Sequence, residues 1–488
     1  MSKTKFGKMY WVNVVIVFLL MFGFGNLPPI TGISELGMKG IGIFLGMIWG
    51  WATCDLAWPS FLGVIAVGLS GYMNVTKAFQ TMFSDSTMLQ MIFCFALIAY
   101  LQECGFATYV AKWFVSRKIG IGRPWVFSAL ILTTAFILSM FTMGAAAIVM
   151  TWAIYYEICH TLGMTKEDAW TKTILVGIVV AGAAGALCLP YQLMSLLYIA
   201  SVESVTNITV NTLVYSAFRI TTSYGFILLY LLLIRFVLRP DITKLTQQSS
   251  EHNAYFAEMR AQKMNTSQKI GAISFASVLI LLVVANNCPN TWPFVPVIKT
   301  MGLIGVVGIL MVILAIFYTK QDGIEKTVIN IGSIMSKIDW VIVILVGCVA
   351  PISNLLESDE AGIFALITES LTPLGQTMGA EAFVFIMALL IGLLTQVSHN
   401  VLLARVLMPL MVSVGVTLDI NPMIMMMTVA LPCQIAICTP GASGFAGLLW
   451  GNRNWIDTKS CLKYTLLGFL LMMVFNSLII YPLARLIY

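Results

Sequence analysis

The stretch Thr395-Gln396-Val397-Ser398-His399-Asn400 interrupts an apolar region, and the apolar run on either side of it is too short for an ordinary membrane span. Irregular polar backbone survives inside a bilayer only where protein or a water-filled cavity satisfies its N–H and C=O groups. A re-entrant helical hairpin provides such a place. The stretch therefore predicts a hairpin that dips into the membrane and lines a solute site.

The composition of the whole chain is typical of a polytopic membrane protein. Of the 488 residues, 59% are hydrophobic and only 10% are charged, whereas soluble domains carry roughly 25% charged residues. The apolar run from Tyr10 to Phe24 follows three lysines but no small-residue cleavage motif, so we interpret it as an uncleaved first helix. The ten cysteines lie mostly in apolar segments, which predicts buried thiols and no disulfide framework.

Counting apolar segments predicts an all-α polytopic membrane protein with about 11 transmembrane helices and two re-entrant helical hairpins. Ser139 in the first hairpin corresponds to Thr395 in the second, and Pro190 corresponds to Pro440, so the chain contains two repeats. The predicted domains are an N-terminal helix (1–36), a first repeat (37–238) with a hairpin at 124–160 and a broken helix at 172–202, a cytoplasmic linker (239–269), and a second repeat (270–488) with a hairpin at 381–417 and a broken helix at 421–451.

The distribution of positive charge predicts the orientation. If both hairpins enter and leave on one side and the N-terminus is cytoplasmic, most of the 27 lysines and arginines lie in cytoplasmic segments. The predicted exterior loops are almost free of them, and the one near 73–85 contains only Lys77. The two repeats then have inverted topology, and the C-terminus is exterior. We expect a multi-pass protein of the cell membrane.

Three segments carry a family resemblance. They are Leu138 to Ala145, Thr395 to Asn400 with the following Val406-Leu407-Met408-Pro409, and Cys438-Thr439-Pro440-Gly441-Ala442. These segments and the layout of two inverted repeats resemble the divalent-anion/sodium symporter family of the ion transporter superfamily. The resemblance covers nearly the whole chain. It implies a homodimer, an elevator movement of the hairpin domain through a scaffold, and a site for a carboxylate and sodium.

Within this layout the hairpin tips and the helix breaks supply the candidate site residues. The family's Ser-Asn-Thr tips are replaced here by Met143-Gly144-Ala145 and His399-Asn400-Val401, so only Asn400 is retained. The predicted substrate-binding residues are Asn400, His399, Ser398, Thr439, Gln192, Thr142 and Gly144. The predicted cation-binding residues are Ser139, Gly144, Gly185, Pro190, Thr395, Asn400, Thr439 and Gly441. Pro190 and Pro440 are the predicted structural breaks.

Each of these residues also has an ordinary structural interpretation. Asn400 can cap its hairpin arm, His399 can bond a neighbouring helix, and Ser or Thr hydroxyls commonly bond back to helix carbonyls. Glycines at the breaks can serve close helix packing. Arg405 can counter an anionic substrate, or it can snorkel or pair with Glu381 or Glu369.

Together these features predict a secondary active transporter of a small organic anion resembling a di- or tricarboxylate, and not an enzyme. We find no nucleotide-binding motif, paired-carboxylate motif or metal-ligand motif, and expect no cofactor beyond a sodium ion. Coupling to sodium is favoured and coupling to protons through His399 is the alternative. The expected partners are the anion, the lipid bilayer and a second copy of the chain, with no nucleic acid. Alternative functions are a cation/proton antiporter of the same superfamily and an anion channel.

Overall fold

The computed structural model describes residues 7–120, 122–246, 257–321 and 324–488. Nine of the described helices are long and apolar enough to cross a membrane, and five shorter apolar helices accompany them. The all-α polytopic fold is therefore confirmed. The described residues depart from it in one two-stranded antiparallel ribbon, in which Tyr318 pairs with Thr327. Lys3 and Lys5 and part of the predicted linker lie outside the described residues.

The first half of the chain contains twelve numbered helices. They are α1 (Lys8–Asn26), α2 (Glu35–Thr53), α3 (Ala57–Leu69), α4 (Val75–Ser84), α5 (Ser86–Glu103), α6 (Phe106–Val115), α7 (Pro124–Phe141), α8 (Gly144–Thr161), α9 (Ala169–Gly185), α10 (Leu193–Thr206), α11 (Thr212–Leu238) and α12 (Thr243–Thr246). We call α7 and α8 hairpin 1, and the non-helical residues 186–192 between α9 and α10 break 1.

The second half repeats this pattern. Its elements are α13 (Thr266–Asn287), α14 (Phe294–Ile316), β1 (Tyr318–Gln321), β2 (Ile324–Thr327), α15 (Ile331–Ser336), α16 (Trp340–Glu357), α17 (Ile363–Met378), α18 (Ala380–Val397), α19 (Asn400–Thr417), α20 (Pro422–Gln434), α21 (Gly444–Gly451) and α22 (Thr458–Ile487). We call α18 and α19 hairpin 2, and residues 435–443 between α20 and α21 break 2.

Two segments differ from the sequence-based expectation. The predicted loop near 73–85 is mostly the helix α4, which is amphipathic and begins where the Asn74 side chain accepts a hydrogen bond from the Lys77 N–H at 2.7 Å. A polar N-cap starts a helix that hydrophobicity alone does not reveal. The sequence also predicts a short apolar segment near 361–371; in the structure this is α17, which continues to Met378 with Pro373 inside it.

The hairpins and broken helices pack on one another in a crossed arrangement. The first arm of each hairpin lies against the broken helix of its own repeat, α7 on α9 and α18 on α20. The second arms cross over, so that α19 packs on α10 of the first repeat and α8 contacts α21 of the second. Every side chain from Ile174 to Val180 in α9 is buried, which places this broken helix at the centre of the protein. The crossed packing brings both tips and both breaks into one region.

Candidate functional site

Break 1 is closed by two consecutive side chains. The Gln192 side chain is 4% exposed, and its Nε2 donates to the carbonyl oxygens of Ser139 and Met140 at 3.0 Å each and of Thr142 at 3.2 Å. The neighbouring Tyr191 hydroxyl also donates to the Met140 carbonyl. These carbonyls end the first arm of hairpin 1, where no further helical N–H is available. Break 1 therefore holds hairpin 1 by satisfying its terminal carbonyls.

Close packing of α7 against α9 excludes larger residues from this region. The Ser139 Oγ donates to the Gly182 carbonyl at 2.5 Å. A Cβ atom added to Gly185 would lie 2.3 Å from the carbonyl oxygen of Phe136, and one added to Gly182 would lie 2.6 Å from the Ile148 Cγ1. The glycines allow the backbones to approach. The surroundings of Gly182 therefore agree with the alternative interpretation, in which the glycines near the breaks allow close helix packing.

In break 2 the connecting glutamine comes from the hairpin. The Gln396 Nε2 donates to the carbonyl oxygens of Gly392 at 2.9 Å and Ile435 at 3.0 Å. Its Oε1 accepts from the backbone N–H groups of Ile437 at 3.1 Å and Cys438 at 3.0 Å. One buried side chain thus donates to two backbone carbonyls and accepts from two backbone N–H groups. It joins the first arm of hairpin 2 to the interrupted backbone.

Further hydrogen bonds hold the tip of hairpin 2 against break 2. The Thr439 Oγ1 donates to the Gln396 carbonyl. The Asn400 backbone N–H donates to the Ala442 carbonyl at 3.1 Å. The Ser443 Oγ donates to the Ala436 carbonyl at 2.6 Å and accepts from the Ala446 N–H, so it caps α21. The tip and the break therefore share one hydrogen-bonded framework.

The two repeats meet between the breaks. The Gln434 Nε2, at the end of α20, donates to the Ala183 carbonyl of α9 at 2.8 Å. A Cβ atom added to Gly144, at the tip of hairpin 1, would lie 2.8 Å from the Phe445 ring of α21 and 3.1 Å from the Ala186 Cβ of break 1. These contacts place the tip of hairpin 1 between both breaks.

Several polar groups in this region have no protein partner among the described residues. Asn400 is 3% exposed, yet its side chain makes no hydrogen bond there. The Nδ1 of His399 and the Oε1 of Gln434 are buried and equally unpaired. Buried polar atoms are rarely left without a partner, and such exceptions call for an explanation such as a bound ligand or water. Because both tips and both breaks also meet here, we take this region as the candidate binding site.

Three of the helices that begin in this region have no side-chain cap. They are α8, α10 and α19, which start after Met143, Gln192 and His399 respectively. Uncapped first-turn N–H groups and the positive end of the helix dipole attract anions. At break 2 there is also room, because a Cβ added to Gly441 or Gly444 would meet no atom within 4 Å. The arrangement can receive a carboxylate without a charged side chain.

The predicted site residues differ in whether their polar groups already have a hydrogen-bond partner in the protein. The hydroxyls of Thr142 and Thr395 bond back to the carbonyls of Leu138 and Gly392, both at 2.9 Å, as the structural alternative anticipated. The Gln192 amide nitrogen is occupied by hairpin 1. Asn400 and His399 keep unpaired polar atoms, and Gly441 faces open space.

Arg405 has a different partner from those predicted. Its Nη2 lies 2.7 Å from the Asp85 Oδ2, and its Nη1 donates to the Thr87 Oγ1 at 3.1 Å. Pairing with Glu381 was wrong, since Glu381 pairs with Arg485. Asp85 caps the distant helix α5, and sequence distance concealed the contact. The pair lines a polar cavity of about 420 Å³ that also contains Glu357.

Sequence reasoning also missed Arg219, which is fully buried in α11. Its Nη2 donates to the carbonyl oxygens of Met426 at 3.1 Å and Met427 at 2.7 Å. Arg219 therefore anchors α20 of the second repeat to α11 of the first. A single arginine inside an apolar span was the available signal, because such residues rarely face lipid. The described residues contain no group of three or more His, Cys, Asp or Glu that could bind a metal ion.

Comparison with known proteins agrees with this architecture. A family model described as citrate transporter (CitMHS) matches residues 44–430. No curated protein matches the chain. The solved structure of the YdaH transporter of Alcanivorax borkumensis, described as having an unusual topology, superposes with a TM-score of 0.51 at 13% identity and covers 99% of each chain. That likeness concerns the fold alone.

The family match decides part of the sequence-based interpretation. The prediction of a transporter of organic anions rather than an enzyme is confirmed. The assignment to the divalent-anion/sodium symporter family in particular stays a prediction. The chain belongs to the citrate transporter family, and it is a membrane transport protein.

Proposed function

We propose that this protein is a secondary carrier of a small organic anion with two or three carboxylate groups, and that the anion binds between the tip of hairpin 2 and break 2. The proposal rests on one observation: Asn400, the first residue of the uncapped helix α19, is 3% exposed, and its side chain forms no hydrogen bond with the described residues. The family description, citrate transporter, is the reason for naming a tricarboxylate.

The geometry supports anion binding through backbone and amide donors. The first-turn N–H groups of α19 and the Asn400 amide can donate to one carboxylate, and His399 Nδ1 offers a further polar contact. Gly441 and Gly444 leave room for the rest of the ligand. Because these donors carry only partial charge, they hold an anion without making its release slow. A carrier needs both properties.

We further propose an elevator movement within a homodimer, as the resemblance implies. The hairpins and broken helices pack mainly on one another, which supports a transport domain that moves as a unit. The resemblance also implies a coupling cation, with sodium favoured over the proton. We also propose a cytoplasmic N-terminus in a cell-membrane protein, on the basis of the distribution of lysine and arginine. The homodimer is testable by mass measurement in detergent.

Uptake by proteoliposomes tests the proposed function. We expect the wild-type protein to accumulate labelled citrate or a dicarboxylate, with sulfate as a competing divalent anion, when sodium and proton gradients are imposed separately. The variant Asn400→Ala should lose uptake while it keeps its melting temperature. Unchanged uptake by this variant removes Asn400 from the site. Single-channel currents far above carrier turnover would instead support the anion channel.

Labelling tests the topology on which the proposal depends. Single cysteines placed at both ends of hairpin 1 should react with an impermeant reagent from the same side of the membrane. The same holds for hairpin 2 from the opposite side. Reaction of the two ends of one hairpin from different sides would overturn the re-entrant arrangement.

A further inference from the structure

Two glutamine side chains each join a hairpin to the break of the same repeat, Gln192 from break 1 and Gln396 from the first arm of hairpin 2. The Gln192 Nε2 lies among the carbonyl oxygens of Ser139, Met140 and Thr142 at 3.0, 3.0 and 3.2 Å. The Gln396 Nε2 lies among three oxygens as well, the carbonyls of Gly392 and Ile435 at 2.9 and 3.0 Å and the Thr395 Oγ1 at 3.5 Å. Each amide nitrogen thus faces several oxygen atoms, which lie at the end of α7 for Gln192, and in the last two turns of α18 and just after α20 for Gln396.

The orientation of each amide follows from its neighbours. Carbonyl oxygens only accept hydrogen bonds, so the nitrogen and not the oxygen of Gln192 must face Ser139, Met140 and Thr142. For Gln396 the oxygen end fixes the same orientation, because Oε1 accepts hydrogen bonds from the N–H groups of Ile437 and Cys438. Each nitrogen therefore presents the positive end of the amide dipole to a cluster of oxygens.

Such clusters are where a cation would otherwise bind. The last carbonyls of a helix have no helical partner, carry partial negative charge, and coordinate cations at the breaks of discontinuous helices. Within the membrane interior they require either a cation or a hydrogen-bond donor. Here a donor from the protein is already present. A cation could enter either cluster only by displacing a buried glutamine.

We propose that the side-chain amides of Gln192 and Gln396 are built-in replacements for a bound cation at the two hairpins, so that the protein assembles its breaks without sodium. This goes beyond the proposed function and does not depend on the transported anion. It removes sodium from the breaks, where the resemblance placed it, and so favours the proton, the alternative named above, as the coupling ion.

The remaining carbonyls around the breaks support the same conclusion. Protein donors already reach several of them. The donor and acceptor pairs are Ser139 Oγ to Gly182, Gln434 Nε2 to Ala183, Ser195 Oγ and Tyr215 hydroxyl to Leu187, Ser443 Oγ to Ala436, and Trp450 Nε1 to Ile437. A dehydrated sodium ion needs several such oxygens at once. The described region uses them for its own hydrogen bonds.

Thermal unfolding of the purified full-length protein, in sodium chloride and in choline chloride at equal ionic strength, tests the inference. We expect the wild-type melting temperature to be the same in both salts. Gln192→Ala frees three carbonyls and opens space for an ion, so it should melt lower in choline chloride and recover by at least about 2 °C in sodium chloride. Gln192→Glu should also be stabilised by sodium, because its carboxylate faces the same oxygens.

Gln434→Ala is the matched control. It removes an equally buried amide that serves a single carbonyl, so it should be destabilised without any response to sodium. A wild-type protein that melts higher in sodium than in choline chloride overturns the inference, whether or not the variants fold. So does a Gln192→Ala or Gln192→Glu variant that ignores sodium. These readouts involve no carboxylate, so failure of the proposed carboxylate transport leaves them interpretable.

Discussion

Break 1 and break 2 belong to equivalent positions of the two repeats, yet protein fills them to different degrees. At break 1 the Gln192 amide, and the close approach of Gly185 at the end of α9 to the Phe136 carbonyl, leave little space. In break 2 Gly441 has no neighbour that a Cβ would touch, and the adjoining tip keeps the unpaired side chain of Asn400. The difference teaches that equivalent breaks of two repeats need not be equally closed: break 1 is filled by protein, whereas break 2 leaves space for the anion proposed above.

The largest expected effect separates the two breaks by glycine substitution. Gly185→Ala forces a Cβ to within 2.3 Å of a backbone oxygen, which cannot move away as a flexible side chain could. We expect a loss of about 3 kcal/mol or more, near the upper end for overpacking. The measurement is the yield and melting temperature of monodisperse protein. Gly441→Ala is the control and should fold like the wild type. Equal stability of both variants would contradict the comparison.

The ion pair of hairpin 2 provides the next test. Arg405 and Asp85 are both mostly buried. The corresponding residue of hairpin 1 is the uncharged Val149, which is 48% exposed. Arg405→Ala should lower the melting temperature by the equivalent of about 2 kcal/mol, because it leaves Asp85 without its charged partner.

Two further variants sharpen this test. Exchange of the two residues, Arg405→Asp with Asp85→Arg, should restore part of the loss. Arg485→Ala breaks the exposed pair with Glu381 and should change stability by less than about 1 kcal/mol. If Arg405→Ala is as mild as Arg485→Ala, the contact does not hold hairpin 2.

A smaller effect is expected on ligand affinity. His399→Gln alters an unpaired Nδ1 at the open break, so the concentration for half-maximal uptake should rise by about 2- to 10-fold. Ser139→Ala in hairpin 1 should leave it unchanged, because that hydroxyl already donates to the Gly182 carbonyl. Initial rates over a range of anion concentration and pH measure both. A pH profile of His399→Gln identical to the wild type would count against proton coupling through this residue.

The smallest effect concerns the pairing of the two halves outside the membrane spans. The Ser460 N–H and hydroxyl and the Lys172 ammonium, which lies 3.0 Å away, hold the pKa of Asp457 well below its ordinary value. A depressed carboxyl pKa stabilises the folded state at neutral pH, and this contribution is lost as pH falls below roughly 5 toward the lowered pKa.

Substitution of the same carboxyl measures this contribution. Asp457→Asn keeps a good N-cap and removes the charge, so at neutral pH it should cost no more than about 0.5 kcal/mol, because Asp457 is exposed. The difference in melting temperature from the wild type should shrink in acid. A difference that grows as pH falls would have the wrong sign for this explanation.

The sequence by itself determined the helical membrane fold and the location of the two hairpins and two breaks. Long apolar segments must form helices in a bilayer, because no water is available for their backbone groups. The polar stretch at Thr395 to Asn400 interrupts hairpin 2, and Pro190 and Pro440 lie within the two breaks. These signals are local, so they can be read without knowing which elements touch.

Only the tertiary structure decided which polar groups are free. Gln192 and Asn400 are both polar residues at a break, yet one nitrogen is enclosed by three carbonyls of hairpin 1 and the other side chain is unpaired. Likewise Arg405 meets Asp85, 320 residues away, rather than Glu381. Hydrogen-bond satisfaction depends on distances across the fold, and a side chain's type cannot reveal whether a partner has already been supplied.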